Sequence, residues 1–262
     1  MGSRLSVSAA RFRGDLDQLY SEGFCLITPD DLADGLARLP EGRSPVMITF
    51  DDGWRSQFDY VEDADGLLRI DPSCAVGILE SFCSEHPDFG RGAVFNISLD
   101  KPPFGQEEYL ERKLNFLLDN GYCIGNHTVR HRSFTGLPPS LWGPALTGVP
   151  DELERFLGMR TGEIRTAAWP GGRLPEGRWV EERLGTIEYE GSPVAEFGFV
   201  VDGALADLGD VLSSGGRLRL SRVDMALYSV ARLLSHNGFY RPDPWRADLR
   251  APMPFRPVPL PE

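Results

Sequence analysis

Short apolar runs of strand length alternate with longer segments of helical period along most of this chain. That alternation confines it to a mostly parallel sheet, open or closed into a barrel. Residues 11–23 carry Phe12, Leu16, Leu19 and Tyr20 at helical spacing, with Gly23 as a stop. Residues 24–27 read as a strand, and Thr28-Pro29-Asp30-Asp31 opens a helix running toward Arg38, with proline at an early helical position. Ser44-Pro45 breaks the chain before a strand over residues 46–50. Asp71-Pro72 reads as a cap and first turn, followed by Ala75, Val76, Leu79 and Phe82 on one helical face. A strand at 93–97, a helix at 106–120 closed by Gly121, and a strand at 122–125 come next. Later strands are expected at 164–169, 197–201 and 218–223, and residues 225–236 read as a final helix ended by Asn237-Gly238. After Tyr240 the chain holds Pro242, Pro244, Pro252, Pro254, Pro257, Pro259 and Pro261, which forbids regular structure. The expected division is therefore a folded unit over 1–240 and a proline-rich tail over 241–262, with no internal repeat.

Composition narrows the partners. The chain of 262 residues can bury a full core, and its 41% hydrophobic and 25% charged residues are those of an ordinary globular protein. Lys and Arg number 27 against 39 Asp and Glu, a formal charge of -12. A nucleic-acid partner wants the opposite sign, and an anionic polymer such as a uronic acid chain is a poor match to the overall field. No apolar run approaches the roughly 18 to 20 residues of a transmembrane span, so none is expected. The start, Met1 to Ser8, lacks the features of a secretory signal. As it stands the chain reads as cytoplasmic, and as extracellular or of the cell envelope if a leader precedes it. Cys25, Cys74, Cys83 and Cys123 lack C-x-x-C spacing and read as free, mostly buried thiols; export would leave room for one disulfide.

Two segments carry chemistry. Val46-Met47-Ile48-Thr49-Phe50 ends abruptly in Asp51-Asp52-Gly53, so two carboxylates stand at the carboxyl end of a strand, where parallel α/β folds keep their active sites. Adjacent side chains on a strand point to opposite faces, which lets one Asp bind a metal while the other takes another role. Asp-Asp-Gly is also good turn chemistry, and alone it would decide nothing. The second segment, Gly125-Asn126-His127-Thr128-Val129-Arg130-His131, sets two imidazoles four residues apart. If the chain turns helically there, the two fall on one face, about 5 to 6 Å apart at Cβ. One Asp and two His suit a divalent ion. The other histidines, His86 before Pro87 and His236 at a helix end, read as helix-terminus residues.

Thr49-Phe50-Asp51-Asp52-Gly53 together with Asn126-His127-Thr128-Val129-Arg130-His131 resembles the polysaccharide deacetylase, or NodB-homology, family of metal-dependent carbohydrate esterases. The similarity runs from Phe12 to roughly Val223. It implies an α/β fold, a distorted (β/α) barrel with about seven parallel strands. It also implies an Asp-His-His metal site, usually zinc, with cobalt or nickel as alternatives. Asp52, His127 and His131 would be the ligands and Asp51 the general base. An acetylated carbohydrate would be the substrate: N-acetylated first, O-acetylated second. Activated water would attack the acetyl carbonyl, with a backbone N–H helping to hold the oxyanion. The rival readings are an amide or ester hydrolase of a small acylated metabolite on the same fold, and a catalytically weak carbohydrate-binding relative.

Ala167-Ala168-Trp169-Pro170-Gly171-Gly172 stands where the family carries an arginine, prolines, a tyrosine and a glycine. Gly171 replaces the tyrosine whose amide serves the oxyanion, and a glycine still donates its N–H. Ala168 replaces the arginine that orients the base, and Arg165 and Arg173 are substitutes only by nearness in sequence. The family's late leucine–histidine motif, source of a general acid, is not evident. Trp54 and Trp169, and less so Trp142, are candidates for a sugar-stacking groove.

Overall fold

A computed structural model of the protein describes residues 6–212 and 217–235. In chain order the elements are α1 (Ala9–Ser21), β1 (Phe24–Leu26), α2 (Pro29–Ala33), β2 (Ser44–Val46), β3 (Thr49–Asp51), β4 (Tyr60–Glu62) and β5 (Leu68–Ile70). Then come α3 (Ala75–Glu85), β6 (Val94–Ile97), α4 (Leu110–Asp119), β7 (Cys123–Asn126), α5 (Trp142–Leu157), β8 (Thr166–Ala168) and α6 (Arg178–Leu184). Last are β9 (Glu188–Tyr189), β10 (Ser192–Pro193), β11 (Phe197–Val201), α7 (Leu208–Leu212), β12 (Leu220–Arg222) and α8 (Val230–Leu234).

Six strands form one parallel sheet in the order β12-β11-β8-β7-β6-β3. Once the β4–β5 and β9–β10 hairpins are set aside, each strand pairs with the next in the chain, the winding of a (β/α) barrel. The fold is α/β, a distorted barrel. Of the seven or so strands expected, six lie in this sheet, and β1 and β2 form a separate parallel pair that feeds β3. β12 and β3 are the two edges of the sheet and do not pair with one another. The alternation of side chains sends Phe95 and Ile97 into a core with Leu79, Phe82, Leu114 and Leu117, while Val94 joins Ala168, Phe199 and Leu220 on the other face.

Several boundaries differ from the sequence reading, each for a local reason. The run over 46–50 is split because the chain changes partner at Met47-Ile48: β2 pairs with β1 and β3 with β6. Thr28 and Asp31 form a reciprocal capping box at the start of α2. The helix then stops early, where Gly35 and Leu36 turn left-handed. The helix expected over 225–236 shrinks to α8 within the described residues. α5 was not anticipated, because Gly143, Pro144, Gly148 and Pro150 argue against helix. Its buried stripe of Trp142, Leu146, Val149, Leu153 and Leu157 was the readable signal. His86 caps the end of α3, its ring against Tyr20 and Phe82. His236, Asn237-Gly238 and the tail over 241–262 lie outside the described residues.

The four cysteines are free. Burial pushes the Cys83 thiol up to about 11 and that of Cys123 to about 12, which makes them poor nucleophiles. Among the described residues no helix is long and apolar enough to cross a membrane.

Two interior contacts set the geometry of the strand ends. Lys113 is fully buried, and its Nζ donates to the carbonyls of Phe58 (2.9 Å) and Phe104 (3.1 Å), tying together the loops that follow β3 and β6. Burial brings its ammonium down to about 8. The second contact is at Gly125 in β7, where an added Cβ would lie 2.1 Å from Asn96 Oδ1 and 2.7 Å from Thr166 Oγ1. Gly125→Ala should therefore cost about 3 kcal/mol by overpacking, a fall in Tm of roughly 6 to 12 °C. An unchanged Tm by circular dichroism would mean that Asn96 swings aside freely.

Candidate metal and hydrolytic site

β3 ends in Asp51, in register with Asn96 of β6. The chain then folds back through consecutive left-handed residues, Asp52 at φ 74° and Gly53 at φ 66°. Gly53 O accepts from Phe104 N at 2.7 Å, which pins that turn to the loop after β6. β7 ends in Asn126, and its neighbour His127 is buried. The segment from His127 to His131 is not the helical turn anticipated. Thr128 (φ 66°) and His131 (φ 46°) are left-handed, and Asn126 Oδ1 accepts from Thr128 N at 2.9 Å. The two imidazoles still meet, with ring centroids 4.7 Å apart. Left-handed backbone at non-glycine residues costs energy and gathers at functional sites; here it falls on Asp52, Thr128 and His131.

Asp52 Oδ1 lies 3.5 Å from His127 Nε2 and 3.2 Å from His131 Nε2. One donor atom from each of the three residues falls within 4.8 Å of the others, so the three can hold one ion. His127 Nδ1 lies 2.7 Å from the Ala168 carbonyl oxygen, which only accepts, so Nδ1 carries the proton and Nε2 keeps its lone pair. Burial lowers the His127 imidazolium below its usual range, against the pull of Asp51, and so favours the neutral, ligating form. Asp52 Oδ2 accepts from Trp54 Nε1 at 2.9 Å, which fixes the carboxylate plane. One carboxylate oxygen and two imidazole nitrogens form a donor set that suits zinc, cobalt or nickel.

Asp51 is held differently. Arg222, at the end of β12, grips it with two hydrogen bonds, Nη1 to Oδ1 and Nη2 to Oδ2, both 2.8 Å. Asn96 Nδ2 adds a third at 2.9 Å. Arg222 Nη1 also donates to Thr49 Oγ1 at 2.7 Å, so one guanidinium bridges the two unpaired sheet edges. Burial alone would raise the Asp51 carboxyl; the charge of Arg222, with the hydrogen bonds of Arg222 and Asn96, holds it well below the usual carboxylate range.

Sequence reasoning missed Arg222 and looked to Arg165 and Arg173. Arg165 pairs with Asp30 and Glu196 instead, and Arg173 is exposed with no contact to Asp51. The signal was available: Arg222 ends a predicted strand, the position that had drawn attention to Asp51. Ala168 serves the site through its carbonyl rather than a side chain. Gly171 (φ 75°) is exposed in the turn after β8, at the same carboxyl end of the sheet as His127. The indole of Trp169 is fully buried, donates to Leu218 O at 2.8 Å and packs on Phe134. It offers no face to a sugar, which corrects the groove reading; Trp142 is buried likewise. Trp54 is 53% exposed beside Asp52.

No protein-family profile and no curated protein matches the chain. Among solved structures, the Streptococcus pyogenes deacetylase PplD in complex with acetate is similar over 89% of this chain and 88% of that one, at 18% identity and a TM-score of 0.61. A T48 deacetylase with substrate is similar over 54% of this chain and 56% of its own, at 20% identity and a TM-score of 0.34. The first likeness establishes a shared fold along nearly the whole chain.

Proposed function

We propose that the protein is a metal-dependent hydrolase that removes acetyl groups from an N-acetylated carbohydrate. The observation that carries the reading is an ionised carboxylate, Asp51, gripped by Arg222 beside the three-donor cluster Asp52, His127 and His131. The fold shared with a bacterial deacetylase supports the acyl chemistry, and the motif resemblance supports the sugar.

Asp52, His127 and His131 would hold a divalent ion, whose charge would polarise an acyl carbonyl and acidify water. Asp51 takes the proton of the attacking water. Arg222 Nη1 and Asn96 Nδ2 fill Oδ1, while Oδ2 accepts only from Arg222 Nη2 and keeps a lone pair free, so the carboxylate can be fixed and still accept a proton at Oδ2. Trp54 holds Asp52 in the orientation that aims Oδ1 at the two histidines. The N–H of Gly171 is the candidate donor to the developing oxyanion. The weak-relative reading rested partly on a missing arginine; Arg222 fills that part from another strand. His131, its side chain 40% exposed, and the exposed Trp54 leave the mouth open to a substrate larger than a small metabolite.

The test is acetate release from chito-oligosaccharides and from small acylated metabolites, after chelation and again with zinc, cobalt or nickel restored. Metal-dependent release from the oligosaccharides supports the reading. Release only from small metabolites favours the rival hydrolase, and turnover undiminished by chelation overturns the metal site.

A further inference from the structure

The chain is acidic, and the described arginines are mostly engaged by carboxylates: Arg13 by Glu85, Arg55 by Asp59, Arg219 by Glu181. Four cations at the candidate site are not. Among the described residues no carboxylate lies within ion-pair distance of Lys101, Arg130, Arg132 or Arg173. Arg130 and Arg132 are exposed on either side of His131. A Cβ built on Gly171 would come within 3.8 Å of Ser133 Oγ, so the segment after His131 lies against the turn that leads to exposed Arg173. The Lys101 ammonium sits 3.1 Å from the ring centre of Trp54, whose N–H holds Asp52.

The negative groups of the site are already committed, Asp51 to Arg222 and Asp52 to the histidines and Trp54. Asp100, exposed and next to Lys101 in the chain, makes no ion pair with it. An indole face compensates an ammonium only in part, and an anion forms a shorter, stronger, charge-assisted bond. Lys101 shares its groove with Glu107 and Glu152 as well as Arg155, and the unpaired Arg130, Arg132 and Arg173 add positive charge beside it, so local charge rather than the molecule's total decides what the mouth attracts. The overall acidity that argued against an anionic substrate does not apply at this rim.

We propose that the substrate carries an anionic group, a carboxylate or a phosphate monoester, near its acetylated position, received by Lys101 with Arg130, Arg132 and Arg173. This rests on the deacetylase reading of the same site. The experiment uses the metal-loaded protein and three sugars: an N-acetylated hexosamine, its phosphate monoester, and the same sugar bearing a carboxylate on an ether-linked lactyl group. The anionic forms should show kcat/KM about tenfold above the neutral one, a ratio that shrinks as salt rises from about 0.05 to about 0.5 M. Lys101→Gln, or Arg130→Gln with Arg132→Gln, should each lower the ratio about two- to fivefold, the scale of single exposed charge pairs. Arg38→Gln, remote and paired with Asp31, should leave it unchanged. Which anion is preferred assigns the group. Acetate released equally from all three sugars without salt dependence overturns the proposal and leaves the deacetylase reading standing. No acetate from any sugar counts against that reading alone; calorimetric affinities for the three then decide the anion proposal, and equal affinities overturn it.

Discussion

Asp52→Ala should empty the metal centre and lower acetate release by more than about a hundredfold, the loss that follows removal of even an outer partner of a metal ligand. Asp52 Oδ1 is the atom that both imidazoles face, and among the described residues no other carboxylate joins the cluster to complete the set. Elemental analysis of the purified variant reads the metal directly, and acetate release reads the consequence. Full metal occupancy with undiminished turnover would remove Asp52 from the site. Trp54→Phe should give a milder version of the same defect, because it removes the hydrogen bond to Oδ2 and keeps the ring.

A second variant separates binding from folding. Asp52 adopts φ 74°, a region that costs about 1 to 2 kcal/mol for an ordinary L-residue and nothing for glycine. Asp52→Gly should therefore lose the metal while unfolding, in the presence of chelator, at a temperature no lower than the parent. A lower temperature would mean that Asp52 has a structural role that outweighs its strain.

How much of this was legible in the sequence differs from element to element. The donors Asp52 and His127 were readable because each follows a strand end directly, and His131 because it stands four residues beyond His127. Their local geometry was not readable. Four-residue spacing suggested a helical turn, whereas left-handed Thr128 and His131 bring the rings together another way. Trp169 misled because a tryptophan beside a motif looks like a sugar platform. Its indole fits inward because Gly198 on the neighbouring strand has no side chain; a Cβ there would come within 2.5 Å of the ring. Arg222 was out of reach of motif logic because its partner lies 171 positions away in the chain, across the gap between the first and last strands of the sheet. Only closure of the barrel makes those two residues neighbours.

That closure is what Arg222→Met tests. With the guanidinium gone, burial becomes the dominant influence on Asp51 and its carboxyl should rise from well below the usual range toward or above it. On the proposed mechanism, the parent's Asp51 stays ionised across the working pH range and does not limit activity. In the variant an acid limb should appear, with rate lost as pH falls through the raised value, and kcat should drop about a hundredfold with little change in KM. Arg222→Lys keeps the charge and loses the two-pronged grip, so it should recover the pH profile more fully than the rate. Stability gives an independent reading. Arg222 is 12% exposed and joins β12 to Thr49 and Asp51 of β3, so breaking the pair strands a half-buried carboxylate at a cost of about 2 to 3 kcal/mol. Adding Asp51→Asn to Arg222→Met neutralises that stranded charge and should restore much of the Tm, while activity stays lost because the base is gone. If the double variant does not recover Tm, Arg222 serves chiefly as a strut across the barrel edges. If Tm returns, Arg222 stabilises the fold chiefly by neutralising Asp51, and the acid limb of the single Arg222→Met variant then reads its part in the chemistry.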